Sequence, residues 1–171
     1  RGSRKASETI SVAALFSAVQ LLLQGSLSRQ VRLTVEQPPE DLVIEGNYTE
    51  FQQCLINLCL NGIQAMAERG GQLTLSALPA VAAHGPDYVV LRVADEGSGM
   101  DEATRQQLFT PFFTTKSSGT GLGLMSCKRI VESVQGRIEV RSAPGQGSAF
   151  ELHLPAPAID EWMGLDDTTF L

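Results

Sequence analysis

Long apolar runs are missing from this sequence. The longest, around Leu21–Leu23, is interrupted by Gln20 and Gln24, too short to cross a bilayer. No signal-peptide pattern is visible, so any membrane-spanning part is expected outside these residues. Basic charge is also scarce. Thirteen Lys and Arg stand against 19 Asp and Glu, a net charge of −6 at pH 7. That balance lacks the basic footprint of a nucleic-acid binder. Any bound anion must then be held by local features. The cysteines, Cys54, Cys59 and Cys127, have no C-x-x-C spacing, which argues against a zinc site. They sit in apolar runs and read as buried free thiols of a reducing compartment. Histidine is limited to His84 and His153. The Asn47-Tyr48-Thr49 sequon matters only in a secreted chain and reads as a chance match.

What is present suits a folded globule of single-domain size: 171 residues, 43% hydrophobic and 19% charged. Val12, Leu15, Val19 and Leu22 recur at helical spacing, so a helix is expected from Ser11 to about Arg29, capped by Ser11. Val31, Leu33 and Val35 alternate as a strand that Pro38-Pro39 ends, and Leu42–Glu45 makes another. A long helix is expected over about Thr49–Ala67, broad enough in its apolar surface to lie on a sheet and stopped by Gly70-Gly71. Strands are expected at Gln72–Ala77 and Tyr88–Ala94, with a small-residue loop over Pro79–Pro86. Asp95–Gly121 carries little regular structure besides a short helix near Glu102–Leu108, the mark of a functional or moving segment. A helix over about Leu122–Val134 and a hairpin, Arg137–Arg141 with Ala149–Leu154, close the pattern. The interleaving of helices with tight hairpins favours an α/β sandwich with a mixed sheet covered on one face by helices. Residues 1–10 read as a linker or the end of a preceding region, 11–155 as the domain and 156–171 as an acidic tail with apolar side chains.

Three stretches carry chemistry. Asn57 and Asn61 are four residues apart and share a helix face. Amides in an apolar helix need partners, and their carbonyl oxygens suit a hard cation such as Mg²⁺; ordinary hydrogen bonds to nearby loops would serve as well. Asp95-Glu96-Gly97-Ser98-Gly99 follows a strand, where an Asp can accept from the exocyclic amine of adenine or simply cap a turn. Gly119-Thr120-Gly121-Leu122-Gly123 leads into a helix, whose free N–H groups and dipole favour an anion. It is neither a Walker loop nor a dinucleotide fingerprint. Lys116 lies just upstream and can supply a positive charge.

Taken in order, these stretches resemble the boxes of the GHKL superfamily of ATPases and kinases. Leu55–Gly62 is similar to the N box, Asp95–Gly99 to the G1 box, Phe109–Lys116 to the F box of histidine kinases and Gly119–Leu124 to the G2 box. The turn Pro144–Phe150 is similar to the closing hairpin, and the likeness covers roughly residues 8–155. The resemblance implies the Bergerat fold and an ATP-binding catalytic domain of a two-component sensor histidine kinase, most like nitrogen-regulatory sensors. It implies ATP and Mg²⁺ as cofactors, with Asn61 on the metal and Asn57 supporting the phosphates. Asp95 would read adenine, and Gly97 and Gly99 would let the backbone approach the nucleotide. Gly119, Thr120, Gly121, Leu122 and Gly123 would line the phosphates, and Lys116 would reach one when a lid over Met100–Ser118 closes. Phe109, Phe112 and Phe113 would pack that lid.

The resemblance also implies a phosphate acceptor. Hydrolytic relatives carry a Glu where this chain has Asn57, and an amide is no general base near neutral pH. Phosphoryl transfer needs mainly positioning and charge stabilisation, which suits an imidazole acceptor. Neither His84 nor His153 lies in a helical His-Glu or His-Asp context, and both are expected on the surface. The acceptor is therefore expected on a separate dimerisation domain, with a response regulator downstream, a homodimeric full-length protein, no nucleic-acid partner and a cytoplasmic location. Alone, this domain is expected to bind ATP without autophosphorylating. Glu96, Met125 and Val134-Gln135-Gly136 depart from the usual pattern, and Gln64 stands where many kinases have a basic residue. That leaves Lys116, then Arg129, as the cations, and keeps a non-catalytic nucleotide- or partner-binding module as the alternative. A serine kinase of the anti-sigma type is a third reading.

Overall fold

The computed structural model describes residues 7–84, 87–111 and 123–157. It opens with a strand that the pattern of residues does not announce, β1, Glu8–Ser11. It runs antiparallel to β3, Val43–Gly46, with Glu8 opposite Gly46 and Ser11 opposite Val43. The folded body thus takes in residues ahead of Ser11.

Helix α1, Val12–Leu23, starts on Ser11, whose hydroxyl accepts from the Ala14 N–H at 3.2 Å. Its Val12, Leu15, Phe16, Val19 and Leu23 are buried. It ends earlier than Arg29: Gln24–Ser26 tightens into a 3₁₀ turn, where Gly25 and Ser26 are weak helix formers and bury nothing. Replacing Ser11 with Ala is expected to cost about 1 kcal/mol, read as a lower urea midpoint at unchanged slope.

Helix α2, Tyr48–Ala65, is capped by Asn47, which accepts from the Glu50 N–H at 3.0 Å. It buries Phe51, Cys54, Leu55, Leu58, Cys59 and Gly62. Among the described residues the main sheet has five strands, in the order β2-β4-β5-β7-β6. They are β2 Val31–Val35, β4 Gly71–Ala80, β5 Tyr88–Asp95, β6 Arg137–Ser142 and β7 Ser148–Pro155. β2 runs parallel to β4 and every other neighbour is antiparallel, so the sheet is mixed. The expected loop from Pro79 is corrected in part: β4 continues through Pro79, which pairs with Val89, to Ala80. Past Leu75 it has no β2 partner, so the missing proline N–H breaks no ladder on that edge.

Leu73, Leu75 and Ala77 of β4, Val89, Leu91 and Val93 of β5, and Phe150, Leu152 and Leu154 of β7 are buried in one core with α1 and α2. Helix α4, Gly123–Glu132, adds Cys127 and Val131 to it. The three cysteines are buried and free, as expected. The Cys127 thiol donates to the Cys54 carbonyl at 3.4 Å and ties α4 to α2. Burial pushes the Cys59 thiol up to about 12, which keeps it protonated and inert.

Candidate nucleotide-binding site

Helix α2 meets most of the described residues that the sequence singled out. Burial of Leu55, Leu58 and Cys59 fixes the helix rotation and leaves Asn57 and Asn61 half-buried, one turn apart. Asn57 Oδ1 accepts from Gln53 Nε2 at 3.0 Å. Its Nδ2 lies 3.7 Å from where a Cβ on Gly123 would be, so the first residue of α4 meets the Asn57 amide. At Gly62 a Cβ would fall 3.2 Å from Asp95 Cβ and 3.5 Å from Asp95 Oδ2. The bare glycine is what lets the end of β5 bring its carboxylate against α2.

Asp95 is only partly shielded. Its Oδ1 accepts from the Gly97 N–H at 2.8 Å. Burial pushes its carboxyl above the ordinary carboxylate range, while the Gly97 and Ser148 backbone N–H groups pull it back. Gly97 is buried against the end of α2; a Cβ there would be 2.7 Å from Ala65 Cβ and from the Ala65 carbonyl oxygen. Glu96 faces outward and accepts from the Gln72 N–H at 2.6 Å, tying the loop to the start of β4.

The hairpin between β6 and β7 clamps the same loop, which the sequence reading missed. Gly145 N–H donates to the Ser98 carbonyl at 2.6 Å, and Met100 N–H donates to Ser142 Oγ at 2.8 Å. Ser142 Oγ donates in turn to the Gly147 carbonyl at 3.0 Å and lies 2.8 Å from Ser148 Oγ. Two serines flanking an expected turn were the available signal, but their reach to Met100, 42 residues away, is a tertiary fact.

Beyond Met100, Asp101 caps a short helix α3, Glu102–Gln107, accepting from the Thr104 N–H at 2.8 Å. Phe109 packs on the core, with Lys128 of α4 5.6 Å from its ring centroid. Lys116, Gly119, Thr120, Gly121, Leu122, Phe112 and Phe113 lie outside the described residues. Arg129 is exposed in the last turn of α4, and Gln64 is exposed near the end of α2. A cleft of about 320 Å³, lined in part by Arg92, Ala94 and Arg141, shares Asp95 and the hairpin residues Ser142, Gly147 and Ser148 with this site. Arg92, Ala94 and Arg141 belong to the sheet face turned away from α2, so the cleft is separate from the Asn57–Asn61 face.

His84 is exposed, as expected, but His153 is corrected. It is on the outer sheet face, yet only 10% of its side chain is exposed. Tyr88 stacks beside it at 5.5 Å and Arg137 reaches its Nδ1 at 3.4 Å. Alternation along β7 gives the face, not what covers that face.

Comparison with known proteins agrees with this fold. The family described as histidine kinase-, DNA gyrase B-, and HSP90-like ATPase matches residues 46–158. The chain is 40% identical over 138 residues to the sensor histidine kinase ZraS of Klebsiella oxytoca, covering 81% of the chain and 29% of that protein. It is 39% identical to sporulation kinase C of Bacillus subtilis, covering 66% of the chain and 25% of that protein. The chain therefore spans less than a third of the length of these relatives. Among solved structures, the catalytic domain of histidine kinase ThkA superposes with a TM-score of 0.73 at 28% identity, covering 88% of this chain and 96% of that one. The mycobacterial sensor histidine kinase MprB, at 20% identity and a TM-score of 0.74, shares the fold over 90% of this chain and 100% of that one. The chain belongs to the family of histidine kinase-, DNA gyrase B-, and HSP90-like ATPases, in the form of a sensor histidine kinase catalytic domain.

Proposed function

We propose that this domain binds Mg-ATP along the Asn57–Asn61 face of α2 and transfers the γ-phosphoryl group to a histidine on a separate dimerisation domain. The observation that carries this reading is that α2 meets Asp95 at Gly62 and Gly123 at Asn57, with an amide at position 57 where water activation would need a carboxylate. Asp95 keeps acceptor capacity beyond its Gly97 contact and would take the adenine amine. Asn61 offers a hard oxygen, which fits an ion that keeps most of its shell as phosphate oxygens and water. Asn57, braced by Gln53 and next to Gly123, would orient the phosphates. Lys116 and the glycine run Gly119–Gly123 would close over them. Bound Mg-ATP supplies the phosphoryl group; the chain's part is to hold it in line and damp its charge. A response regulator would then receive the phosphate, and the whole protein would act as a homodimer, with this domain in the cytoplasm either free or as the cytoplasmic part of a membrane sensor.

Incubating the chain with a purified acceptor domain, labelled ATP and Mg²⁺ tests this. Acid-labile label on the acceptor is expected, with none on this chain alone. Asn61→Ala is expected to lower transfer at least about 10-fold, in the range seen when a metal's supporting groups are removed. Nucleotide binding without label would instead favour a non-catalytic module, and acid-stable label a serine kinase. Unchanged transfer in Asn61→Ala would remove Asn61 from the metal.

A further inference from the structure

We propose that the outer face of the sheet carries a second, transition-metal site, formed by Glu139, Glu151 and His153 and suited to Zn²⁺. Alternation along β7 puts Glu151 and His153 on one face, and the register sets Glu139 of β6 directly opposite Glu151. His153 Nε2 lies 3.4 Å from Glu139 Oε2 and 3.7 Å from Glu151 Oε1. One donor atom from each residue falls within 4.8 Å of the others.

The imidazole is what distinguishes this cluster from a surface ion pair. The His153 side chain is nine-tenths buried, and its Nε2 is fully buried without a hydrogen-bond partner among the described residues. An orphaned buried polar atom costs on the order of 1–3 kcal/mol, and the Tyr88 ring packs on one flank of the imidazole. The nearest carboxylate oxygens are too far for good hydrogen bonds. They are, however, close to the spacing of ligands around a tetrahedral ion, roughly 3.4 Å for bonds of about 2.1 Å: Glu139 Oε2 is at 3.4 Å and Glu151 Oε1 at 3.7 Å. One imidazole with two carboxylates, leaving a position for water, favours Zn²⁺ over Mg²⁺ or Ca²⁺.

Three arginines compete for the same carboxylates. Arg92 and Arg141 each lie 3.6 Å from Glu151, and Arg137 lies 3.0 Å from Glu139. Their side chains are 43%, 74% and 61% exposed, so each can turn to solvent when a cation enters. Arg137 must leave, because a metal on Nε2 makes Nδ1 a donor that cannot accept from a guanidinium. This competition sets the affinity in the micromolar range.

Titration calorimetry of the nucleotide-free chain with Zn²⁺ tests the proposal. One site with Kd on the order of 10 μM is expected, with a saturable rise in melting temperature. His153→Gln and Glu139→Gln should each weaken binding at least about 10-fold, while His84→Gln leaves it unchanged. Arg137→Ala, which removes a competitor and keeps every ligand, should tighten binding several-fold. In the wild type, Co²⁺ should give the intense visible absorption of a low-coordinate site. No heat up to about 1 mM Zn²⁺ would overturn the proposal. So would equal affinity in His153→Gln, or binding in Arg137→Ala no tighter than in the wild type.

Discussion

Asp95→Asn is expected to weaken binding of a non-hydrolysable ATP analogue by about 10- to 100-fold while the fold survives. A hydrogen bond to a charged acceptor contributes roughly 1.5–3 kcal/mol, and each 1.4 kcal/mol is a factor of ten. An Asn at this position keeps one oxygen, which the Gly97 N–H already occupies. Its amide NH₂ would face the adenine amine, donor against donor. The stability side has the opposite sign. Burial raises the Asp95 carboxyl in the folded chain, so the ionised form opposes folding. That cost is fully present above the raised value and is relieved as pH falls through it. The variant loses one acceptor and also sheds this buried charge, two effects of similar size and opposite direction. Calorimetry with the ATP and ITP analogues, beside a thermal melt, separates the effects. The wild type should prefer the adenine base, and its affinity should fall on acidification earlier than an ordinary carboxylate would dictate. The variant should lose both the preference and the acid limb. Retained adenine preference in a folded Asp95→Asn would take the adenine-reading role away from this residue.

The parts legible in the sequence were those whose signal is local and repeated. The α2 surface could be read because apolar residues recur over five turns, and Asn57 and Asn61 interrupt them at a spacing only a helix explains. Asp95 could be read because a strand must end where D-x-G-x-G begins. Glu8–Ser11 could not. Four residues with a charge and two hydroxyls have no strand pattern of their own, and β3 supplies their reason to extend. Pro79 argued for a loop because a proline is wrong for a central strand, and it took the register to reveal a one-sided edge there. Gly97 and Gly99 read as close backbone approach to a nucleotide, and the structure adds a second close approach on the Cβ side of each, to Ala65 at one and to Ala143 at the other. A glycine pattern says that a close approach occurs, and not by what.

Gly99 is where that distinction has its largest consequence for stability. Its φ is +70°, and a Cβ there would lie 1.9 Å from the Ala143 carbonyl oxygen and 3.1 Å from that of Gly147. Neither carbonyl is free to swing away. Gln146 N–H donates to the Ala143 carbonyl at 3.0 Å, and Ser142 Oγ holds the Gly147 carbonyl at 3.0 Å. The left-handed backbone alone costs a β-carbon about 1–3 kcal/mol, and the clash forces the clamp between the G1 loop and the β6–β7 hairpin to open. Gly99→Ala is therefore expected to lose at least about 3 kcal/mol, roughly 6–12 °C in melting temperature for a chain of this size. Nucleotide binding should fail with it even at low temperature, because the same clamp fixes where β5 delivers Asp95. Gly123→Ala is the contrast. Among the described residues its Cβ would meet only the Asn57 amide, at an ordinary 3.7 Å, and it begins a helix, so stability should stay within about 1 kcal/mol of the wild type. If Gly99→Ala melts with the wild type and Gly123→Ala does not, the clamp is not what holds the loop, and the support for Asp95 must come from α2 alone.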